Sequence, residues 1–197
     1  MSNLIFMNSM QWRDTAQRYG AISRALHWSM AALFTWQFAG MGLKLALGRN
    51  ALVSFMVGTH GPVGTLLMLL ILLRGAWGLV NARQRPPHGA GLRGLAAWTG
   101  HLAIYALMFA VPALALLRQY GSGRPFAPWG IPLMPGGERI PELMAPGNAA
   151  HGLLGWILLA LIAGHVAMIL VHRHLWRDNV LPRMLSRTPR PAPASGG

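Results

Sequence analysis

The run HGLLGWILLALIAGHVAMILV, residues 151–171, crosses 21 positions without a charged side chain. About 20 apolar residues in a helix match a hydrocarbon core of about 30 Å. In lipid, only a helix or a closed barrel satisfies its own backbone hydrogen bonds. Stretches of the same kind lie at about 25–47, 55–80 and 95–117, the fourth spanning about 149–171. They predict an all-α fold, a transmembrane four-helix bundle. Two histidines, His151 and His165, stand fourteen residues apart in the fourth stretch. Fourteen residues are almost four helical turns, so both imidazoles leave nearly the same face, about 21 Å apart along the axis. An ionisable ring in a membrane helix is costly and marks a functional site by default. Two on one face point to two metal centres stacked across the membrane.

Composition agrees with the bilayer. Only 11% of the 197 residues are charged, and mean hydropathy is +0.39, whereas a soluble domain carries about a quarter charged residues. The first stretch begins near residue 25 with no small-residue cleavage site behind it, so it is expected to be a retained span and not a signal peptide. Seventeen Lys and Arg face four acidic residues, Asp14, Glu138, Glu142 and Asp178. The basic residues sit at the ends of the spans. Arg13, Arg18, Arg24, Arg74, Arg83, Arg85, Arg93, Arg173, Arg177, Arg183, Arg187 and Arg190 fall on one side, and Lys44, Arg49, Arg118, Arg124 and Arg139 on the other. Twelve against five places both termini and the middle loop in the cytoplasm. With the charge distributed in this way, no nucleic-acid partner is expected. The absence of cysteine excludes c-type haem, iron–sulfur clusters, thiolate zinc sites and disulfides.

The remainder reads as connectors within a single integral-membrane domain, residues 1–197. Residues 1–20 form a polar to amphipathic segment suited to the inner membrane surface. The loop NARQRPPHGAGLRG is a cytoplasmic connector. Between about Arg118 and Asn148, Pro125, Pro128, Pro132, Pro135, Pro141 and Pro146 argue against a continuous helix. A loop of that length is usually functional or covers something, and its Phe126 and Trp129 suit the headgroup level. The tail, about 188–197, has a disordered composition.

Topology pairs the histidines by depth. His60 opens the second span on the outer side, level with His151. His27 lies early in the first span, on the inner side, level with His165. That is the geometry of two haems, each clamped between imidazoles from different helices. Gly58, Gly61 and Gly64 flank His60, and Gly152, Gly155 and Gly164 flank the fourth-span pair. Small residues let a flat macrocycle approach a backbone, although they also serve ordinary helix packing. His101, on the inner side of the third span, has no spare partner; it suits a haem propionate or a quinone, or it replaces one ligand of this set. His88 is expected in solvent, and His172 and His174 at the interface just past the fourth span. Arg24 and Arg74 lie near the inner face. Snorkelling or topology setting is their ordinary role; the sharper one is a bidentate pairing with a haem propionate. Met30, Met68, Met108 and Met168 read as packing. Trp28, next to His27, is placed to contact a macrocycle.

The segments YGAISRALHW, THGPVG with LLRGAWGL, HLAIYALMFAVPALAL and AAHGLLGWILLALIAGHVAMILVHRHLWRDNVLPRM resemble the bacterial cytochrome b561 family over about residues 19–185. The resemblance implies a four-helix protein of the bacterial inner membrane with two b-type haems, whose axial ligands fall on His27, His60, His151 and His165. It also implies electron transfer between the haems and the quinone pool. One member type is a superoxide oxidase, which takes an electron from periplasmic superoxide and reduces ubiquinone near the inner haem. The matching residues here are His172 and Trp176. Arg173 stands where some relatives carry a second adjacent histidine, and the first twenty residues extend beyond the usual start.

Three functions follow. The first is superoxide oxidation coupled to ubiquinone reduction, for which a net basic outer face would concentrate a small anion; a mildly basic face that serves docking or lipid contacts has the same composition. The second is a cytochrome b subunit relaying electrons between quinol and a periplasmic dehydrogenase or reductase, for which the short first outer loop around Gly48 and Asn50 offers little docking surface. The third, a histidine-lined metal transporter, would be colourless. A homodimer is compatible with all three.

Overall fold

The computed structural model describes residues 11–87, 89–178 and 180–185; the expectations for His88, for residues 1–10 and for the tail lie outside the described residues. Helices α1 (Ala21–Leu47), α2 (Ala51–Gly58), α3 (His60–Val80), α4 (Gly91–Gly121), α5 (Pro141–His174) and the short α6 (Pro182–Leu185) carry the chain. α1, α2 with α3, α4, and α5 are each long and apolar enough to cross a membrane. Leu69, Leu72, Leu73, Leu102, Leu153, Trp156, Ile157, Val166 and Leu170 all point outward from them. An apolar surface of that extent needs lipid as its solvent.

Every span is longer than its apolar stretch, because polar flanks continue the helix beyond the hydrocarbon core. Arg24 thus sits in the first turn of α1, Arg93 in that of α4, and His172 and His174 in the last turn of α5 rather than past it. The second span breaks at Thr59. Trp36 Nε1 donates to Thr59 Oγ1 (2.8 Å), which itself donates to the Met56 carbonyl (2.7 Å). The neighbouring Gln37 donates to the His60 carbonyl (2.9 Å). Two successive α1 side chains therefore hold the junction from which His60 projects.

No continuous helix fills the long loop, as its prolines require, but the loop is shorter at both ends than expected. α4 runs to Gly121, and α5 takes in Pro141 and Pro146, leaving residues 122–140 between them. Pro141 occupies the first helical position, where no N–H is required, and Pro146 forfeits one bond close to the helix start. Close packing favours the longer helices: a Cβ on Gly147 would stand 2.6 Å from the Leu114 carbonyl oxygen, and one on Gly121 2.8 Å from the Leu143 Cβ. The loop between them turns back on itself through a Phe126–Met134 bridge. It packs Phe126 against Gly61, about 3.5 Å from where a Cβ would lie. Trp129 at its tip is exposed and has a φ of 52°, a conformation costing roughly 1–2 kcal/mol outside glycine.

Neighbouring spans run antiparallel. α1 packs on α3, α3 on α4 and α4 on α5. α5 packs extensively on α4; toward α1 and α3 it stands off, with close backbone approach sparse at most. At mid-height Leu158 of α5, 1% exposed, bridges that gap into a core with Met30, Leu67, Ile71 and Met108. Met68 lies against this core as well, whereas Met168 is exposed on α5.

The segment before α1 is docked, with no helix among residues 11–20. The fully buried Asp14 carboxylate accepts from Arg85 Nε (3.0 Å) and from the Gly20 backbone N–H (2.8 Å). Gly78 leaves the space over α3 in which the Arg85 guanidinium lies. Backbone bonds from Ala21 to Gln11 and from Tyr19 to Arg183 join this segment to α1 and α6.

Candidate functional site

The plugged core leaves two half-buried levels, one toward each end of the bundle. At one end, His60 of α3 faces His151 of α5 with ring centroids 6.0 Å apart. At the other, His27 of α1 faces His165 of α5 at 6.5 Å. Leu158 lies seven residues from each α5 histidine, so the buried core separates the two levels. The depth matching expected from topology therefore brings these four side chains together as two facing pairs across the gap beside α5.

A metal–imidazole bond is about 2 Å and the ring centroid lies roughly 1 Å behind the nitrogen, so two trans imidazoles on one metal place their centroids about 6 Å apart. Both pairs have that spacing. Two protein donors are too few for a bare ion, which takes four or more, and they suit an iron whose equatorial donors come from a macrocycle. Among the described residues no group of three or more His, Cys, Asp or Glu side chains forms an ion-binding cluster.

The glycines beside these pairs divide sharply. A Cβ on Gly58, Gly152, Gly155 or Gly164 would meet no atom within 4 Å, whereas Gly61 faces Phe126 and Gly64 faces Gln37. Gly152, Gly155 and Gly164 therefore make no close packing contact within this chain, and Gly155, one turn from His151, leaves open space near the face that carries the histidines.

Each level has its own second layer. His151 Nδ1 lies 3.0 Å from the Val111 carbonyl. A carbonyl only accepts, so Nδ1 carries the hydrogen and Nε2 keeps its lone pair for a metal. Lys44 and Arg118 are close enough to act on His60 electrostatically. At the opposite level Arg74 acts on both His27 and His165. Its Nε donates to the Tyr105 hydroxyl (2.8 Å) and its Nη1 to the Ser23 carbonyl (2.9 Å), leaving Nη2 uncommitted by these bonds. The Ser23 hydroxyl accepts from Trp77 Nε1 (3.0 Å). Trp28 stacks edge-on against His27 (5.3 Å) and donates to the Met184 carbonyl. Arg24 stands one turn before His27.

His101 joins the His27/His165 level, its ring centroid 5.1 Å from that of His165. That is about 1 Å short of the trans spacing. Its Nδ1 donates to the Ala97 carbonyl (2.6 Å) one turn back. The geometry thus makes His27 the better-spaced partner of His165.

His172 and Trp176 also come together, their rings edge-on at 4.6 Å. His172 Nδ1 bonds both oxygens of Asp178 (2.9 and 3.0 Å), and the Arg93 guanidinium lies 4.5 Å over the Trp176 ring. Asp178, six residues after His172, was within reach of a local reading, whereas Arg93 is far from this cluster along the chain and no sequence signal links it there. The same holds for Tyr105 and Ser23 around Arg74. Gln37 was missed although a polar amide inside an apolar span was itself a signal; its Oε1 is buried with no partner.

Comparison with known proteins identifies the family. The model of the prokaryotic cytochrome b561 family matches residues 18–187. The chain is 30% identical to cytochrome b561 homolog 2 of Escherichia coli (strain K12), over 91% of this chain and 97% of the relative. It is 24% identical to a probable superoxide oxidase CybB of Yersinia pestis, over 87% of this chain and 97% of that protein. A bundle with two facing histidine pairs, matched along nearly its whole length, belongs to the prokaryotic cytochrome b561 family of haem b electron-transfer proteins of the membrane.

Proposed function

We propose that the chain holds two b-type haems, one between His60 and His151 and one between His27 and His165, and carries electrons from periplasmic superoxide to ubiquinone across the bacterial inner membrane. The observation that carries this is the pair of centroid separations, 6.0 and 6.5 Å, at opposite ends of a bundle whose α5 stands off from α1 and α3. When bound, the haems supply one-electron storage at two depths. By the positive-inside count, the His60/His151 level faces the periplasm and both termini face the cytoplasm.

The protein's own groups divide the work. Val111 holds His151 in the tautomer whose Nε2 is free. Lys44 and Arg118 supply positive potential at the outer level, which attracts an anion. Tyr105 and Ser23 orient Arg74 toward the inner level, where its uncommitted Nη2 suits a propionate. Asp178 accepts from His172 Nδ1, which leaves the Nε2 lone pair to take up a proton from the cytoplasmic side and pass it to a quinone oxygen beside Trp176. Two superoxide ions each give up one electron and leave as oxygen; ubiquinone takes both electrons and two protons to become ubiquinol. The similarity to a probable superoxide oxidase supports this choice of donor.

Rapid mixing tests it. Superoxide added to the haem-loaded protein should reduce the haems, and added ubiquinone should reoxidise them. Haems that ignore superoxide while dithionite reduces them fully would sink this donor assignment. Stable co-purification with a second redox subunit would favour the relay role instead.

A further inference from the structure

Three of the five basic residues assigned to the outer side converge on one cavity. Arg118, Arg124 and Arg139 line it with Gln119, Ser122 and Asn148 around a volume of about 400 Å³. The cavity is built by the local fold. Gly147 lets α4 and α5 close up, so that its missing Cβ would stand 2.7 Å from the Arg118 Cβ. The backbone pairs Gly137 with Gly123 (3.0 Å) and Ile140 with Gly121 (2.8 Å), which draws Arg124 and Arg139 to the end of α4. Gln119 Nε2 donates to the Arg124 carbonyl (3.1 Å) and Ser122 Oγ to the Gln119 carbonyl (2.7 Å).

No carboxylate answers the three guanidinium groups. Glu138 and Glu142 are adjacent in sequence, yet the ion pairs among the described residues are Asp14 with Arg85 and Asp178 with His172. Three like charges around one cavity repel each other, and arginines are depleted on the outer side of membrane proteins. Their clustering calls for an anion. The cavity lies where α4 ends and α5 begins, at headgroup depth for membrane-crossing helices, with exposed Leu117 and Tyr120 on α4 beside it. Its volume far exceeds a diatomic ion, and guanidinium groups bind the oxygens of a phosphate bidentately.

We propose that this basin is a phosphate oxyanion site, occupied by the headgroup phosphate of an anionic phospholipid of the outer leaflet. The test uses the full-length, haem-loaded protein, delipidated in neutral detergent. Phosphatidylglycerol or phosphatidylcholine with matched acyl chains is added, and retained lipid is counted by native mass spectrometry. Calorimetry with inorganic phosphate forms a second arm. Wild type should retain phosphatidylglycerol over phosphatidylcholine, and Arg118→Gln/Arg124→Gln/Arg139→Gln should retain it at least about tenfold more weakly, since it loses the charge-assisted hydrogen bonds to the phosphate. Lys44→Gln/Arg49→Gln, which removes outer charge away from the cavity, should bind as wild type. Saturable inorganic phosphate binding that the triple variant loses, with no lipid preference, supports the oxyanion site with free phosphate as its source. Equal phosphatidylglycerol retention by wild type and a monodisperse, haem-loaded triple variant overturns the proposal. So does phosphate binding confined to haem-free protein, which would give the basin to haem carboxylates.

Discussion

The two histidine levels share a spacing and differ in support. At the His60/His151 level, α1 side chains pin the helix junction at Thr59, a backbone carbonyl holds His151, and the nearby cations Lys44 and Arg118 take part in neither of the ion pairs among the described residues. At the His27/His165 level a third histidine is present, and the nearby cation, Arg74, is bound in a side-chain network under a docked N-terminal segment. One level suits an anion arriving from solvent; the other suits a group that stays. Identical ligand chemistry is thus set beside cations at both levels, anchored in a hydrogen-bond network only at the inner one.

Removing a ligand from each level is the strongest way to break the comparison. His151→Ala should abolish the low-spin signature of the outer haem and His165→Ala that of the inner one, each halving haem per chain in a pyridine haemochromogen assay. Loss of both haems from either variant, with folding intact, would end the independence of the levels. Next in size, Asp14→Asn should destabilise the inner end by about 2 kcal/mol, the cost of losing the charge-assisted hydrogen bond from the partly exposed Arg85, read as a lower thermal midpoint with the outer haem spectrum unchanged. Arg74→Gln should lower the midpoint potential of the inner haem by roughly 40 mV, equivalent to about 1 kcal/mol for one electron, and leave the outer one in place. Replacing His101 with Phe sharpens the assignment within the inner level: haem content and low-spin spectra should persist, and their collapse would make His101 a ligand in place of His27. The smallest effect concerns Tyr19, whose pKa is raised above the ordinary 10.0 chiefly by burial. A raised folded pKa contributes stability that is present below pH 10 and lost as pH climbs above it. Tyr19→Phe should therefore flatten the alkaline fall in thermal midpoint, and an unchanged fall would remove Tyr19 from the account.

Much of this was legible in the chain. Apolar length set the spans, and fourteen-residue spacing put His151 and His165 on one face, because both follow from helix periodicity and bilayer thickness. Pairing by depth followed from alternating span direction. The end of the long loop was misread because proline is a local signal, and the close approach of α4 and α5 through Gly121 and Gly147 outweighed it. The support around each pair was not legible. Val111 and His151 are forty residues apart, and Arg74 and Tyr105 thirty-one; no periodicity links them.

The sequence by itself determined how many helices cross the bilayer, at what depth each histidine sits, and which side carries the excess of arginine, since each depends on position along one helix. Only the tertiary structure decided that α5 stands off from α1 and α3, that His27 and not His101 has the trans spacing to His165, and that three outer arginines share one cavity. Those depend on the lateral packing of helices, where a glycine at one contact and a leucine at another set distances no single helix contains.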